Sequence, residues 1–259
     1  MKIGAADFYG LLTKSPVDAC LELQKAGIRA VELMYEYPHI ISEQDALKLK
    51  KLGLDFSMHG PFTEKSFSHP HPDFRGLQVK MVEKSLDIAA KVEADSYVIH
   101  GGLFPSFYSM IEHGHKRDYF YDVFANEFQN AFKKASEAGI RVVVENLGLS
   151  QIGGKFEDII EIKRRLPETG FCLDLAHALM SGGFPLLDAF ISEIKVDHFH
   201  VSDGTAGKDE HWAIGKGHLP IRETLQKLKK KGYDGKVIFE GLTLTDTLES
   251  VKKLREMVK

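Results

Sequence analysis

"RVVVEN", residues 141–146, is the stretch on which the fold turns. Three consecutive valines make a short apolar run of strand type. Side chains alternate across a strand, so Glu145 shares a face with Val143, while Val142 and Val144 lie on the other. Seven runs of the same kind lie around it: "KIGAA" (2–6), "AVEL" (30–33), "DFSMH" (55–59), "SYVIH" (96–100), "FCLDL" (171–175), "DHFHV" (197–201) and "KVIFEG" (236–241). That makes eight candidate strands.

A helical stretch follows each. "SPVDACLELQKAG" (15–27) offers Ser15 as N-cap, Pro16 at the first helical position and Gly27 past the end. "SEQDALKLKKLG" (42–53) repeats the device with Ser42 and Gly53, and "ETLQKLKKKG" (223–232) closes on Gly232. "DTLESVKKLREMVK" (246–259) carries Leu248, Val251, Leu254 and Val258 at helical spacing. Eight strand–helix units, with no linker or low-complexity tract, predict an α/β fold: a single (β/α)8 TIM barrel spanning 1–259 as one domain. An open doubly wound sheet is the rival. The count of eight, and the lack of Gly-x-Gly-x-x-Gly after the first strand, favour the closed form.

Composition fits: 43% of the residues are hydrophobic and 27% charged, enough for a sizeable core. The net charge of −3 advertises no nucleic-acid partner but leaves room for a local basic patch. Cys20 and Cys172 are too few for a disulfide framework and read as buried small residues of a reducing compartment. "MKIGAADFYG" has no signal-peptide pattern, and no run approaches 18 apolar residues. The expectation is a cytoplasmic protein with no membrane association; a homo-oligomer is compatible with this composition.

The strand ends carry the chemistry. Six end in His, Asp or Glu on the face that looks inward: His59, His100, Glu145, Asp174, His200 and Glu240. Barrel enzymes work at the C-terminal face of the strands, where these residues converge. Carboxylates crowded together raise each other's pKa, and a divalent cation is the simplest neutraliser. Histidine and carboxylate together suit Zn²⁺ or Mn²⁺. His177, three residues after Asp174, joins the set if a helical turn starts there. Asp209 and His211, in a loop with Gly204 and Gly207, extend it further. His198 reads as packing lower in the barrel or supporting a ligand. Glu32 reads as a buried partner of a lysine or histidine, or else as a substrate group at the mouth. His69, His71, His113 and His115 read as solvent-facing loop residues, with a lid as the alternative.

The motifs "MHGPF", "VIHGG", "VVVENLG", "CLDLAHA", "HFHVSDG…DEHWAIGKG" and "VIFEG" together resemble the xylose isomerase-like TIM-barrel superfamily, which includes sugar isomerases and epimerases and endonuclease IV. The resemblance runs from the first strand to the last helix. Its epimerase branch implies one divalent metal on Glu145, Asp174, His200 and Glu240, the two glutamates serving as acid and base. Its nuclease branch implies three zinc ions on nine ligands: His59, His100, Glu145, Asp174, His177, His200, Asp209, His211 and Glu240. One to three ions are thus implied. The sequence departs from both branches. "MYEYPHII" lacks the arginine that the nuclease inserts into DNA, Phe62 stands where it carries a tyrosine, and "HVSDGTA" lacks an arginine usual in ketose 3-epimerases.

On this reading the first expectation is isomerisation or epimerisation of a small sugar or sugar phosphate. Glu145 and Glu240 exchange the proton, His59, His177 and Phe62 meet the substrate, and Lys216 or Lys208 meets a phosphate. The alternative is phosphodiester hydrolysis of abasic DNA, which would use the five ligands that an isomerase does not need.

Overall fold

All eight predicted strands form, each within a residue or two of its expected bounds. They are β1 (Lys2–Ala6), β2 (Ala30–Met34), β3 (Asp55–His59), β4 (Ser96–Ile99), β5 (Arg141–Glu145), β6 (Gly170–Asp174), β7 (His198–Val201) and β8 (Lys236–Phe239). The structure is a computed structural model that describes residues 1–62, 67–69, 71–104 and 115–259, the side chains of His115 and Lys116 excepted. Neighbouring strands pair in parallel in chain order, and β1 closes on β8 with Lys2 opposite Lys236. The open sheet is thereby excluded, and the chain is a (β/α)8 barrel.

Strand parity sorts the side chains as the alternation requires. Val98, Val143 and Cys172 pack as one inner cluster, and Ala6, Met34 and Ile238 as another. Val142, Val144, Phe171, Leu173, Phe199, Val201, Val237 and Phe239 face the other way and join the larger core beneath the helices. Glu145 follows Val143, Asp174 follows Cys172 and Glu240 follows Ile238 on the inner parity, so all three rise toward the same mouth.

Among the described residues the outer layer comprises α1 (Pro16–Lys25), α2 (Glu43–Lys51), α3 (Pro72–Lys91), α4 (His115–Glu137), α5 (Phe156–Arg165), α6 (Leu175–Glu193), α7 (Ile221–Lys230) and α8 (Leu244–Met257). The expected caps are present: Ser15 Oγ accepts from Asp18 N–H and Ser42 Oγ from Asp45 N–H, each at 3.1 Å. Such caps contribute about 1 kcal/mol each. His71, expected in a loop, caps α3 by accepting from Asp73 N–H at 3.3 Å. In α4, Phe120, Phe124, Phe128 and Phe132 recur every fourth residue, and all four are buried. Burying one such ring contributes roughly 1.5–3 kcal/mol relative to leaving it exposed.

Helix α6 is long and apolar enough on average to cross a bilayer. It is not one straight rod: Gly183 has φ +64° and ψ −158°, and Pro185 follows. Leu175, Ala178, Leu179, Leu187, Phe190 and Ile191 from both arms are buried against the barrel. Much of its apolar surface is thus spent on core packing, while Phe184 is exposed.

Candidate metal centre

Asp174 ends β6 and caps α6 at once. Its Oδ1 accepts from His177 N–H at 2.6 Å, so the first turn of α6 carries His177 back over the barrel mouth. Asn146, the residue after Glu145, locks the two strands together. Its Oδ1 accepts from Asp174 N–H at 2.7 Å and its Nδ2 donates to Asp174 O at 2.9 Å. The Asp209/His211 loop is organised by buried Asp203. Oδ1 of Asp203 accepts from Gly204 N–H at 2.9 Å and Leu219 N–H at 3.1 Å, and Oδ2 accepts from Gly215 N–H at 2.7 Å. His211 has φ +50°, a left-handed conformation that a non-glycine residue adopts at a cost of order 1–3 kcal/mol.

The nine residues expected as ligands converge on Glu145. Its Oε2 lies 3.3 Å from His59 Nε2 and 3.1 Å from His100 Nε2. Its Oε1 lies 3.1 Å from His177 Nδ1 and 3.6 Å from His200 Nδ1. His200 Nδ1 is also 3.3 Å from Glu240 Oε1. Asp209 joins the remaining pair: Oδ2 is 3.2 Å from His177 Nε2, and Oδ1 is 3.2 Å from His211 Nε2. Three groups result: His59, His100 and Glu145; Asp174, His200 and Glu240 beside Glu145; and His177, Asp209 and His211. Within each of the first two triplets, the potential ligand atoms lie within 4.8 Å of one another.

Ring orientation supports cation binding. His59 Nδ1 is 2.8 Å from Gly60 O, His177 Nδ1 is 3.0 Å from Asn146 O and His211 Nδ1 is 3.2 Å from Glu240 O. A carbonyl only accepts, so these contacts place a proton on Nδ1 and make Nε2 the nitrogen that could ligate a cation on losing its own proton. Among the described residues, His100 Nδ1 and both nitrogens of His200 are buried without an aligned hydrogen-bond partner.

The electrostatics agree. Burial pushes the Asp174 carboxyl up to about 6, with Glu145, Asp209 and Glu240 adding to the effect and His177 opposing it. Burial acts on Glu145 in the same direction, but His200 and His100 outweigh it and hold that carboxyl well below the usual range. Burial would depress His211, yet Asp209 and Glu240 raise it to about 9. His177 and His200 are likewise held well above the ordinary imidazole value by their carboxylate neighbours, against burial. His100 follows burial instead, down to about 4. The cluster therefore balances its carboxylates with imidazolium protons, and those are the protons that ligation of a cation displaces. The donor set fits one or more divalent cations.

Other expected residues fall in different places. Phe62 flanks the cluster, its ring centroid 5.2 Å from that of His59 and 6.1 Å from that of Phe8. Phe8 in turn lies 5.4 Å from the His211 ring. Lys216 is not brought to the cluster: its Nζ pairs with Asp246 Oδ1 at 2.6 Å, at the start of α8. Glu32 is fully buried between His198 and His200, as its reading as a buried partner of histidine expected, and is not the alternative substrate group at the mouth. His113 and the side chain of His115 lie outside the described residues.

Sequence reasoning missed Phe8, Asn146 and the organising role of Asp203. The pattern "EN" at a strand end and the invitingly placed "SDG" turn were the available signals for the last two. Phe8 offered none, because an aromatic residue beyond a strand is ordinary.

Comparison with known proteins agrees with the architecture. The protein MJ1311 of Methanocaldococcus jannaschii is 24% identical over 100% of this chain and 90% of its own length. A Mycobacterium ulcerans protein named "Probable endonuclease 4" is 24% identical, covering 79% of this chain and 82% of its own. A D-tagatose 3-epimerase-like protein of known crystal structure superposes with a TM-score of 0.87 at 23% identity, covering 100% of this chain and 97% of that one. The family described as Xylose isomerase-like TIM barrel matches residues 20–257. With that match laid over a closed eight-stranded barrel, this chain belongs to the xylose isomerase-like TIM-barrel family.

Proposed function

We propose that the protein is a metal-dependent hydrolase of phosphate esters that holds up to three divalent cations. The observation that carries this is the setting of Glu145. Both of its oxygens already face imidazoles, two on each side, and the residue is 1% exposed. A carboxylate so enclosed would suit a ligand shared by cations on either side. A general base needs a free oxygen within reach of substrate.

His59 and His100 would hold one cation with Glu145. Asp174, His200 and Glu240 would hold a second beside it, and His177, Asp209 and His211 a third. Bound there, divalent cations supply Lewis acidity to a phosphoryl oxygen and offset charge on the leaving oxygen. The chain's own residues set the geometry. Nδ1–H donation to Gly60, Asn146 and Glu240 carbonyls fixes three rings. Phe8 and Phe62 wall one side of the cluster and limit water there.

Isomerisation or epimerisation of a sugar or sugar phosphate is the second reading, favoured by that same aromatic wall, which suits a small molecule. It needs only Glu145, Asp174, His200 and Glu240. The test is turnover by zinc- and manganese-loaded protein of an abasic duplex, simple phosphate mono- and diesters, and a panel of ketoses and sugar phosphates. We expect ester cleavage with no sugar interconversion. Sugar interconversion without ester cleavage would reverse the assignment.

A further inference from the structure

We propose that Glu32 is a positioning residue for the metal centre: its carboxylate holds His200 by Nε2 and so turns Nδ1 toward Glu145 and Glu240. The inference rests on the metal reading above and adds to it a residue from β2, one of the two strands that supply none of the nine ligands.

Glu32 is 0% exposed, as is His200, and His198 is 1% exposed. Glu32 Oε1 is 2.8 Å from His200 Nε2, and Oε2 is 2.8 Å from His198 Nε2. These contacts are short, though neither ring N–H points squarely at its oxygen. An isolated buried carboxylate would be strongly disfavoured, and among the described residues these two imidazoles are its ion-pair partners.

The comparison within the site decides the role. His59, His177 and His211 each have Nδ1 beside a backbone carbonyl, which leaves Nε2 as the ligating nitrogen, and only His177 among them also brings Nδ1 within 3.1 Å of Glu145 Oε1. His200 is reversed. Its Nδ1 faces Glu145 and Glu240 at 3.6 and 3.3 Å, and its Nε2 points down the barrel to Glu32. Among the described residues no backbone carbonyl bonds His200 Nε2, and Glu32 stands where the carbonyl stands for the other three. A ligating imidazole whose far N–H is held by a carboxylate has its tautomer and orientation set, and loss of such a partner typically weakens metal affinity 10–100-fold.

The experiment uses full-length protein with nitrogen-labelled histidine, loaded with NMR-active cadmium. We expect His200 to couple to cadmium through Nδ1 and to carry its proton on Nε2. Coupling through Nε2, or a proton on Nδ1, overturns the proposal while leaving the metal centre intact. Cadmium coupled to no histidine overturns the metal reading and this inference with it. In parallel, Glu32→Gln should bind zinc about 10–100-fold more weakly at the Glu240 group, with His177 and His211 still coupled to cadmium. Unchanged affinity in that variant contradicts the role.

Discussion

Glu145→Gln is expected to lower activity by on the order of 10²–10⁴-fold on whichever substrate the wild-type protein turns over. Glutamine preserves the size of the side chain but removes its charge and replaces one acceptor oxygen with a donor. Each Glu145 oxygen faces two imidazole nitrogens, so either placement of the amide sets N–H groups against two rings. The Glu145 carboxylate is the shared member of the first two ligand groups, and bound zinc should fall by more than one ion per chain. Metal analysis and steady-state rates on protein of unchanged circular dichroism check this. Full activity with full metal content would contradict the bridging role.

Asp203→Ala is expected to be the most destabilising single change near the site. The residue is 3% exposed and accepts three backbone N–H groups from Gly204, Gly215 and Leu219. Alanine leaves those donors without their charged acceptor. Hydrogen bonds to a charged group contribute roughly 1.5–3 kcal/mol each and are not fully additive, which gives a loss of about 3–5 kcal/mol. For a chain of this size that is a fall in Tm of roughly 6–10 °C. Because the same loop carries Asp209 and strained His211, the variant should also lose the cation held with His177. Asp203→Asn keeps one acceptor oxygen and should lie between. A Tm unchanged in the alanine variant would show that the loop is held by other means.

The barrel was legible because its strands repeat one device: an apolar run, an inward polar end and a capped helix after it. Ser15 and Ser42 did what their positions predicted, and so did the alternation that turned Glu145, Asp174 and Glu240 into the mouth. The nine candidate ligands were legible largely for the same reason, since seven lie at or within three residues of a strand end; Asp209 and His211 stood out instead as a pair in the loop after β7. Residues acting across the chain were not. Asn146 reaches Asp174, 28 positions away, and Glu32 meets His198 and His200 through a register that only closure of the barrel creates. Lys216 shows the converse: its placement after the metal loop suggested a phosphate ligand, but a nearer carboxylate on α8 takes its charge.

The proposed chemistry differs from the one that the sequence suggests first. From sequence, Glu145 suited a proton-transferring base in a sugar isomerase. In the structure its oxygens are enclosed by four imidazoles, and the groups around it could hold cations on either side. Membership in the family accommodates both chemistries, so the number of cations bound distinguishes them. The most direct measurement is anomalous diffraction from crystals of zinc-loaded protein. The account predicts three zinc positions, two of them sharing Glu145 and the third between His177, Asp209 and His211. A single position on Asp174, His200 and Glu240, or none in the barrel mouth, would contradict it.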